Sequence, residues 1–236
     1  MAKITFKIDG KQCTAEDGQN LVEAAAANGV YIPTLCYLKG SKCLGTCRVC
    51  MVKINGRDMA GCTLNVSEGM DVTFDTPELN DKRKALIEML FVERNHFCPS
   101  CEKSGRCDLQ ALAYRFKMHL PRFRYRFPYY DVDAKADKIM LEHNRCVLCQ
   151  RCVEFIRDEE TGKKIFAMSN RTNKAVIEVD YELANKMSDE QIDKAEAICP
   201  VGAILKKGKG FDQPYAERKY NQHPIGYEVD GGKNSK

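Results

Sequence analysis

The feature that most limits this chain is the run Cys146-Val147-Leu148-Cys149-Gln150-Arg151-Cys152, answered far downstream by Cys199-Pro200. Three cysteines at three-residue intervals, with a distant fourth followed by proline, can close a cage around a [4Fe–4S] cubane. Zinc is the competing occupant. Tetrahedral zinc sites usually draw on two separated Cys-x-x-Cys pairs, which would leave the third evenly spaced thiol idle. The cubane is the stronger reading, with Cys146, Cys149, Cys152 and Cys199 as ligands. A second cluster of this type would need cysteines where Ile156, Asp189, Ile192 and Ala195 stand, so one cubane is expected here.

Thirteen cysteines in 236 residues is an odd count, so they cannot all pair with one another. The N-terminus lacks an apolar leader, and no apolar stretch approaches the ~20 residues that span a bilayer. Cysteine-rich chains of this kind use their thiols for metal or redox work in a reducing compartment, so a soluble cytoplasmic protein is expected. A net charge of +4 is too mild to demand nucleic acid. Hydrophobic content of 44% and charged content of 30% are ordinary globular values, which removes the disordered and membrane classes.

Residues 3–8 alternate polar and apolar as a half-buried strand does, and Asp9-Gly10 signals a hairpin to a second strand over 11–15. Asn20 can cap a helix over 21–27 that Gly29 ends. A second hairpin is predicted over 49–54 and 57–60 around Asn55-Gly56, followed by a short strand over 71–74. Hairpin, crossing helix and further strands follow a β-grasp order. This module offers Cys36, Cys43, Cys47, Cys50 and Cys62 to a site that needs four ligands. A plant-type [2Fe–2S] cluster uses a close Cys-x2-Cys pair, here Cys47 and Cys50, with partners on either side. Cys36, which follows Ile32-Pro33-Thr34-Leu35, is preferred with Cys62, leaving Cys43 as a spare thiol. Cys13, on a predicted strand, reads as a small buried hydrophobe.

Thr76-Pro77-Glu78 is a helix start, and Leu79, Leu86, Ile87 and Leu90 make an apolar stripe to about Val92. Cys98, Cys101 and Cys107 then form an incomplete metal set. His96 is the nearest residue able to complete it, since a neutral imidazole can replace a thiolate. Zinc held by three cysteines and His96 is the alternative. A helix should open at Asp108. Residues 121–130 mix Arg with Phe and Tyr between Pro121 and Pro128. Such a mixture could stack on single-stranded nucleic acid, but the prolines favour an extended strap across a neighbouring surface. Beyond Cys152 a helical turn is predicted over 153–157, with strands over 166–169 and 175–179 and a Ser188-capped helix to about Ile198. Residues 206–236 read as a tail, part of which docks on a partner. No Gly-x-Gly-x-x-Gly or phosphate-cradling loop appears, so flavin or nucleotide is expected elsewhere.

Three cluster motifs in this order resemble the N-terminal part of the large iron–sulfur subunit of respiratory complex I. Here one residue, not the usual three, separates His96 from Cys98. The runs Asn95–Gly105, Pro121-Arg122-Phe123, His143–Cys146 and Glu217–Tyr220 resemble more narrowly the diaphorase small iron–sulfur subunits of bidirectional, NAD-reducing [NiFe]-hydrogenases. The resemblance implies one [2Fe–2S] cluster and two [4Fe–4S] clusters, one of these held by a histidine and three cysteines. It also implies a flavoprotein partner carrying FMN and the NAD site, and a nickel–iron hydrogenase pair of small and large subunits. The function expected is electron relay between hydrogen oxidation and NAD reduction. An NAD-linked formate dehydrogenase, a complex I-like enzyme and a free ferredoxin-type carrier are the rival assignments. The expected organisation is α+β: a β-grasp domain over 1–77, a histidine-ligated segment over 78–120, a ferredoxin-like domain with its leading strap over 121–205, and the tail over 206–236.

Overall fold

The computed structural model describes residues 2–40 and 43–232. Residue 1 and residues 41–42 of the first expected domain, and 233–236 of the expected tail, lie outside the described residues.

Strands β1 (Lys3–Ile8) and β2 (Lys11–Glu16) form the expected antiparallel hairpin. Ile4, Phe6 and Ile8 are buried while the residues between them face water, which is the period of two made physical. Asp9 (φ 49°) and Gly10 (φ 78°) are both left-handed, as the favoured two-residue hairpin turn requires. Cys13 lies opposite Phe6 and is buried, a small core residue. Helix α1 (Leu21–Ala27) starts at Asn20, whose side chain accepts from the Val22 amide and donates to the Cys62 carbonyl at 2.9 Å. The cap therefore ties the helix to a candidate ligand loop. Strands β3 (Met51–Ile54) and β4 (Arg57–Ala60) turn at Asn55 (φ 51°) and Gly56 (φ 76°), repeating the device. Strand β5 (Asp71–Val72) runs parallel to β1, giving the sheet order β2-β1-β5. Named pairing stops before the expected Phe74 because the amide of Phe74 donates instead to the Asp9 carboxylate, at 2.7 Å.

Helix α2 (Pro77–Val92) begins as its sequence dictates: the Thr76 hydroxyl accepts from the Leu79 amide at 3.2 Å, with proline in the first turn. Its buried face holds Leu79 and Ile87, and also Arg83 and Glu88. The Arg83 guanidinium donates to the carbonyls of Met51 and Phe74 and stands 4.3 Å over the Phe74 ring. Burial lowers its pKa to about 10, which leaves it charged near neutral pH. α2 is thus pinned to the module before it. Glu88 accepts from Arg122 Nε at 2.8 Å, Tyr125 donates to Asn95 at 2.8 Å, and Arg94 lies 3.9 Å over the Tyr130 ring. The aromatic-basic strap therefore crosses this chain's own α2 and the turn after it.

Downstream come α3 (Asp108–Arg115), β6 (Val132–Asp133), β7 (Ile139–Glu142), α4 (Arg151–Phe155), β8 (Phe166–Ser169), β9 (Val176–Val179), α5 (Tyr181–Lys186), α6 (Asp189–Ile198) and β10 (Ile204–Lys206). β8 pairs with β9, and β10-β7-β6 form an antiparallel sheet. Sequence reasoning missed β6, β7, β10 and α5. α4 starts two residues before the predicted turn, because left-handed Gln150 (φ 61°) redirects the chain at Arg151. Ser188 and Gln191 form a reciprocal capping box on α6. Short helices α7 (Lys219–Gln222) and α8 (Tyr227–Asp230) shape the final segment.

Parts of that segment pack on this chain. Arg218 is buried and donates to the Ser104 carbonyl, while the Tyr220 amide donates to the Gly105 carbonyl, both at 2.8 Å. Arg115 pairs with Asp230 and donates to the Ile225 carbonyl at 2.7 Å. Gly226 (φ +86°) presses so closely on Tyr31 that a Cβ would lie 2.3 Å from the ring. Buried Arg218 and Ile225 anchor part of the segment on this chain, while residues 210–217 are exposed. Among the described residues, no helix is long and apolar enough to cross a membrane.

Candidate metal centres

The first candidate site gathers all five thiols of the N-terminal module. Cys36 and Cys47 approach to 3.3 Å between sulfurs, and Cys50 and Cys62 to 3.2 Å. The Cys62 amide also donates to Cys50 Sγ at 3.4 Å. Cys43 Sγ lies 3.1 Å from Cys62 Sγ, so the thiol set aside as spare is in the site. A hydrogen bond with Cys47 holds the Cys36 thiol far below its ordinary range, and the same contact raises Cys47. Arg48 is left-handed (φ 58°) between Cys47 and Cys50, and the Val49 amide turns toward Cys47 sulfur.

The second site is built where α2 ends and α3 begins. Cys98 opens a short 3-10 turn, Cys101 closes it, and Cys107 caps α3, its sulfur 3.5 Å from the Gln110 amide. These thiols and His96 line one cavity, with Phe91 and Val201 among its apolar walls. His96 makes a backbone hydrogen bond to Leu90, while its Nε2 is buried with no partner. Desolvation by burial lowers its pKa to about 4, so the ring is neutral at physiological pH. A neutral imidazole, oriented through one nitrogen and offering the other, is the form that binds metal. The short His96–Cys98 spacing therefore still places both at the cavity. Burial pushes the Cys107 thiol up to about 12, as expected where the charge that stabilises a thiolate must come from a metal.

The third site has Cys146, Cys149, Cys152 and Cys199 around a cavity with Leu141, Ile177 and Val201 in its apolar wall. Leu148 (φ 51°) and Gln150 (φ 61°) are left-handed without being glycine. Their loop turns the Leu148 amide toward Cys146 sulfur and the Arg151 amide toward Cys149 sulfur. Such N–H···S bonds favour electron-rich sulfur and tune a cluster's potential. Burial raises Cys146 to about 11 and Cys149 further.

Three residues that the motifs did not single out join the second and third sites. Val201 lines both cavities. Gly202 fits where a Cβ would come within 3.0 Å of Cys101 Sγ, which explains a small residue after Cys199-Pro200-Val201. Arg145 precedes Cys146, yet its guanidinium lines the second cavity and pairs with Glu102 at 2.5 Å. The only sequence signal for these was adjacency to a ligand.

Clustered thiols, a buried imidazole and ferredoxin-like folds define an iron–sulfur electron-transfer protein. Residues 1–77 match the family described as a 2Fe-2S iron-sulfur cluster binding domain. Residues 83–122 match the NADH-ubiquinone oxidoreductase-G iron-sulfur binding region, and 136–205 the ferredoxin-like domain of NADH-quinone oxidoreductase subunit 3. The chain is 59% identical over 217 residues to the NAD-reducing hydrogenase HoxS subunit gamma of Cupriavidus necator, covering 92% of this chain and 93% of that one. A crystal structure of NAD+-reducing [NiFe]-hydrogenase in the H2-reduced state contains a similar chain, with TM-score 0.86, 36% identity and 98% of each chain covered. The mitochondrial NADH-ubiquinone oxidoreductase 78 kDa subunit of Candida albicans is 32% identical over 89% of this chain, which spans 29% of that subunit. The chain belongs to the family of the NAD-reducing hydrogenase gamma subunit, related to the iron–sulfur G subunits of NADH-quinone oxidoreductase.

Proposed function

We propose that this chain is the iron–sulfur subunit of an NAD-reducing [NiFe]-hydrogenase, relaying electrons between a hydrogenase pair and a flavoprotein that holds FMN and NAD. Cys36, Cys47, Cys50 and Cys62 would hold a [2Fe–2S] cluster, as the two short sulfur pairs support. His96 with Cys98, Cys101 and Cys107 would hold one [4Fe–4S] cluster, supported by the unpartnered buried Nε2. Cys146, Cys149, Cys152 and Cys199 would hold the other. Such clusters, when bound, each accept and release one electron. The protein excludes water, aims amides at the sulfurs and sets the spacing. The observation that carries a relay is the wall shared at Val201 between two donor-lined cavities.

The β-grasp assignment for 1–77 is supported by the parallel β1–β5 pair beside a hairpin and crossing helix. The segments 78–120, 121–205 and 206–236 complete the proposed organisation. Free thiols in quantity suit a reducing, cytoplasmic setting. Anaerobic purification of the complex with iron and sulfide analysis tests the reading. About ten irons per chain are expected beyond those the partner subunits hold, two in the first centre and four in each of the others, with hydrogen-reducible EPR signals. Zinc in place of iron and no acid-labile sulfide would refute it.

A further inference from the structure

The fifth thiol of the N-terminal site is placed like a ligand. Cys36, Cys43 and Cys62 bring their sulfurs within 4.8 Å of one another, and Cys43 lies 3.1 Å from Cys62. The fold imposes this approach. Left-handed Gly45 (φ +61°) packs where a Cβ would meet the Thr63 side chain at 2.9 Å, holding the Cys43 loop beside the Cys62 turn. Cys43 also receives a hydrogen bond from the amide two residues on, that of Gly45. Cys47, Cys146 and Cys149 receive the same bond from Val49, Leu148 and Arg151. A thiol left over from folding has no need of the amide arrangement given to proposed ligands.

We propose that Cys43 is a reserve ligand of the [2Fe–2S] site, able to take the place of Cys62 on iron. The inference rests on the Cys36, Cys47, Cys50 and Cys62 assignment above. The exchange is redox-neutral: Cys43 releases its proton as its sulfur bonds iron, and the departing Cys62 thiolate takes one up. Cys43 is half-buried and Cys62 fully so, so the reserve thiol is the member of the pair nearer solvent.

The test uses the full chain in its complex, purified anaerobically as Cys43→Ala, Cys62→Ala and the double variant. The proposal expects the wild-type iron content in each single variant and about two irons fewer per complex in the double, where only the [2Fe–2S] irons are lost. It also expects a [2Fe–2S] EPR signal in Cys62→Ala with shifted g values, the sign of a changed ligand. Loss of the [2Fe–2S] irons from Cys62→Ala, with Cys43→Ala intact, overturns the reserve role and leaves the ligand assignment standing. Loss from Cys43→Ala alone overturns the ligand assignment itself. Where Cys62→Ala yields no folded complex, chelator-driven release of the [2Fe–2S] irons is compared between wild type and Cys43→Ala. Release severalfold faster without Cys43 supports the reserve role, and equal rates overturn it.

Discussion

The N-terminal site and the paired downstream sites hold thiols in contrasting ways. In the first, sulfurs touch sulfurs at 3.1–3.3 Å, on loops between a hairpin and short turns. In the second and third, thiols line cavities with apolar walls, set by the start of α3, the end of α6 and the left-handed loop before α4. On the proposed assignment, the first site has a surplus thiol on its loops, whereas the candidate donors of the other two are fixed by helix ends without a spare. The contrast teaches that a cluster site can be made robust by a surplus of donors or by rigidity of the frame.

The largest effect should follow from breaking the rigid frame at a ligand. Cys149→Ala has no neighbouring spare in its motif, so about four irons per chain should be lost and hydrogen-driven NAD reduction should fall to background. Retention of that centre would erase the contrast. His96→Ala should likewise cost about four irons, whereas His96→Cys should keep them with a potential lower by on the order of 100 mV, because an anionic thiolate replaces a neutral ring. Redox titration followed by EPR reads the shift, and an unchanged potential would place His96 outside the ligand set. Arg83→Met should leave two buried carbonyls without their donor and cost about 2–4 kcal/mol in denaturant unfolding. That loss should weaken the N-terminal centre and spare the other two.

A smaller effect concerns pH. Burial keeps His96 neutral until pH approaches about 4, below the ordinary histidine value of 6.5. An unfolded chain takes up a proton between 6.5 and 4 that the folded chain refuses. Stability of the cluster-free fold therefore declines as pH drops through that window and levels off below it. The neutral form of the ring persists through the same window, so the EPR signal of the centre proposed at His96 should hold from pH 8 to about 5. Loss of that signal already near pH 6.5 would show an exposed ring.

Much of this was legible in the sequence because local chemistry and fold agree at those points. Asp9-Gly10 and Asn55-Gly56 announce their hairpins, and the evenly spaced Cys146 run announces thiols gathered at one cavity, by rules that need no tertiary context. Other features depend on contacts distant in sequence. Arg83 reads as a solvated charge until the carbonyls of Met51 and Phe74 are seen around it. Leu148 and Gln150 carry no glycine signal for their left-handed turns, and Cys43 gives no sign in its neighbours of the approach to Cys62. Arg218 looked like tail because its partner, the Ser104 carbonyl, lies more than a hundred residues away.

The packing of the last segment bears on how this polypeptide can be cut. Residues 218–230 grip the Ser104-Gly105 loop at one end and touch Tyr31 and Arg115 at the other. The N-terminal module and the segment carrying His96 and Cys107 are thereby cross-braced by a stretch of chain that carries none of their candidate donors. Trimming at the Cys-Pro loop, or transplanting a single region into another scaffold, would remove the brace before any ligand is touched.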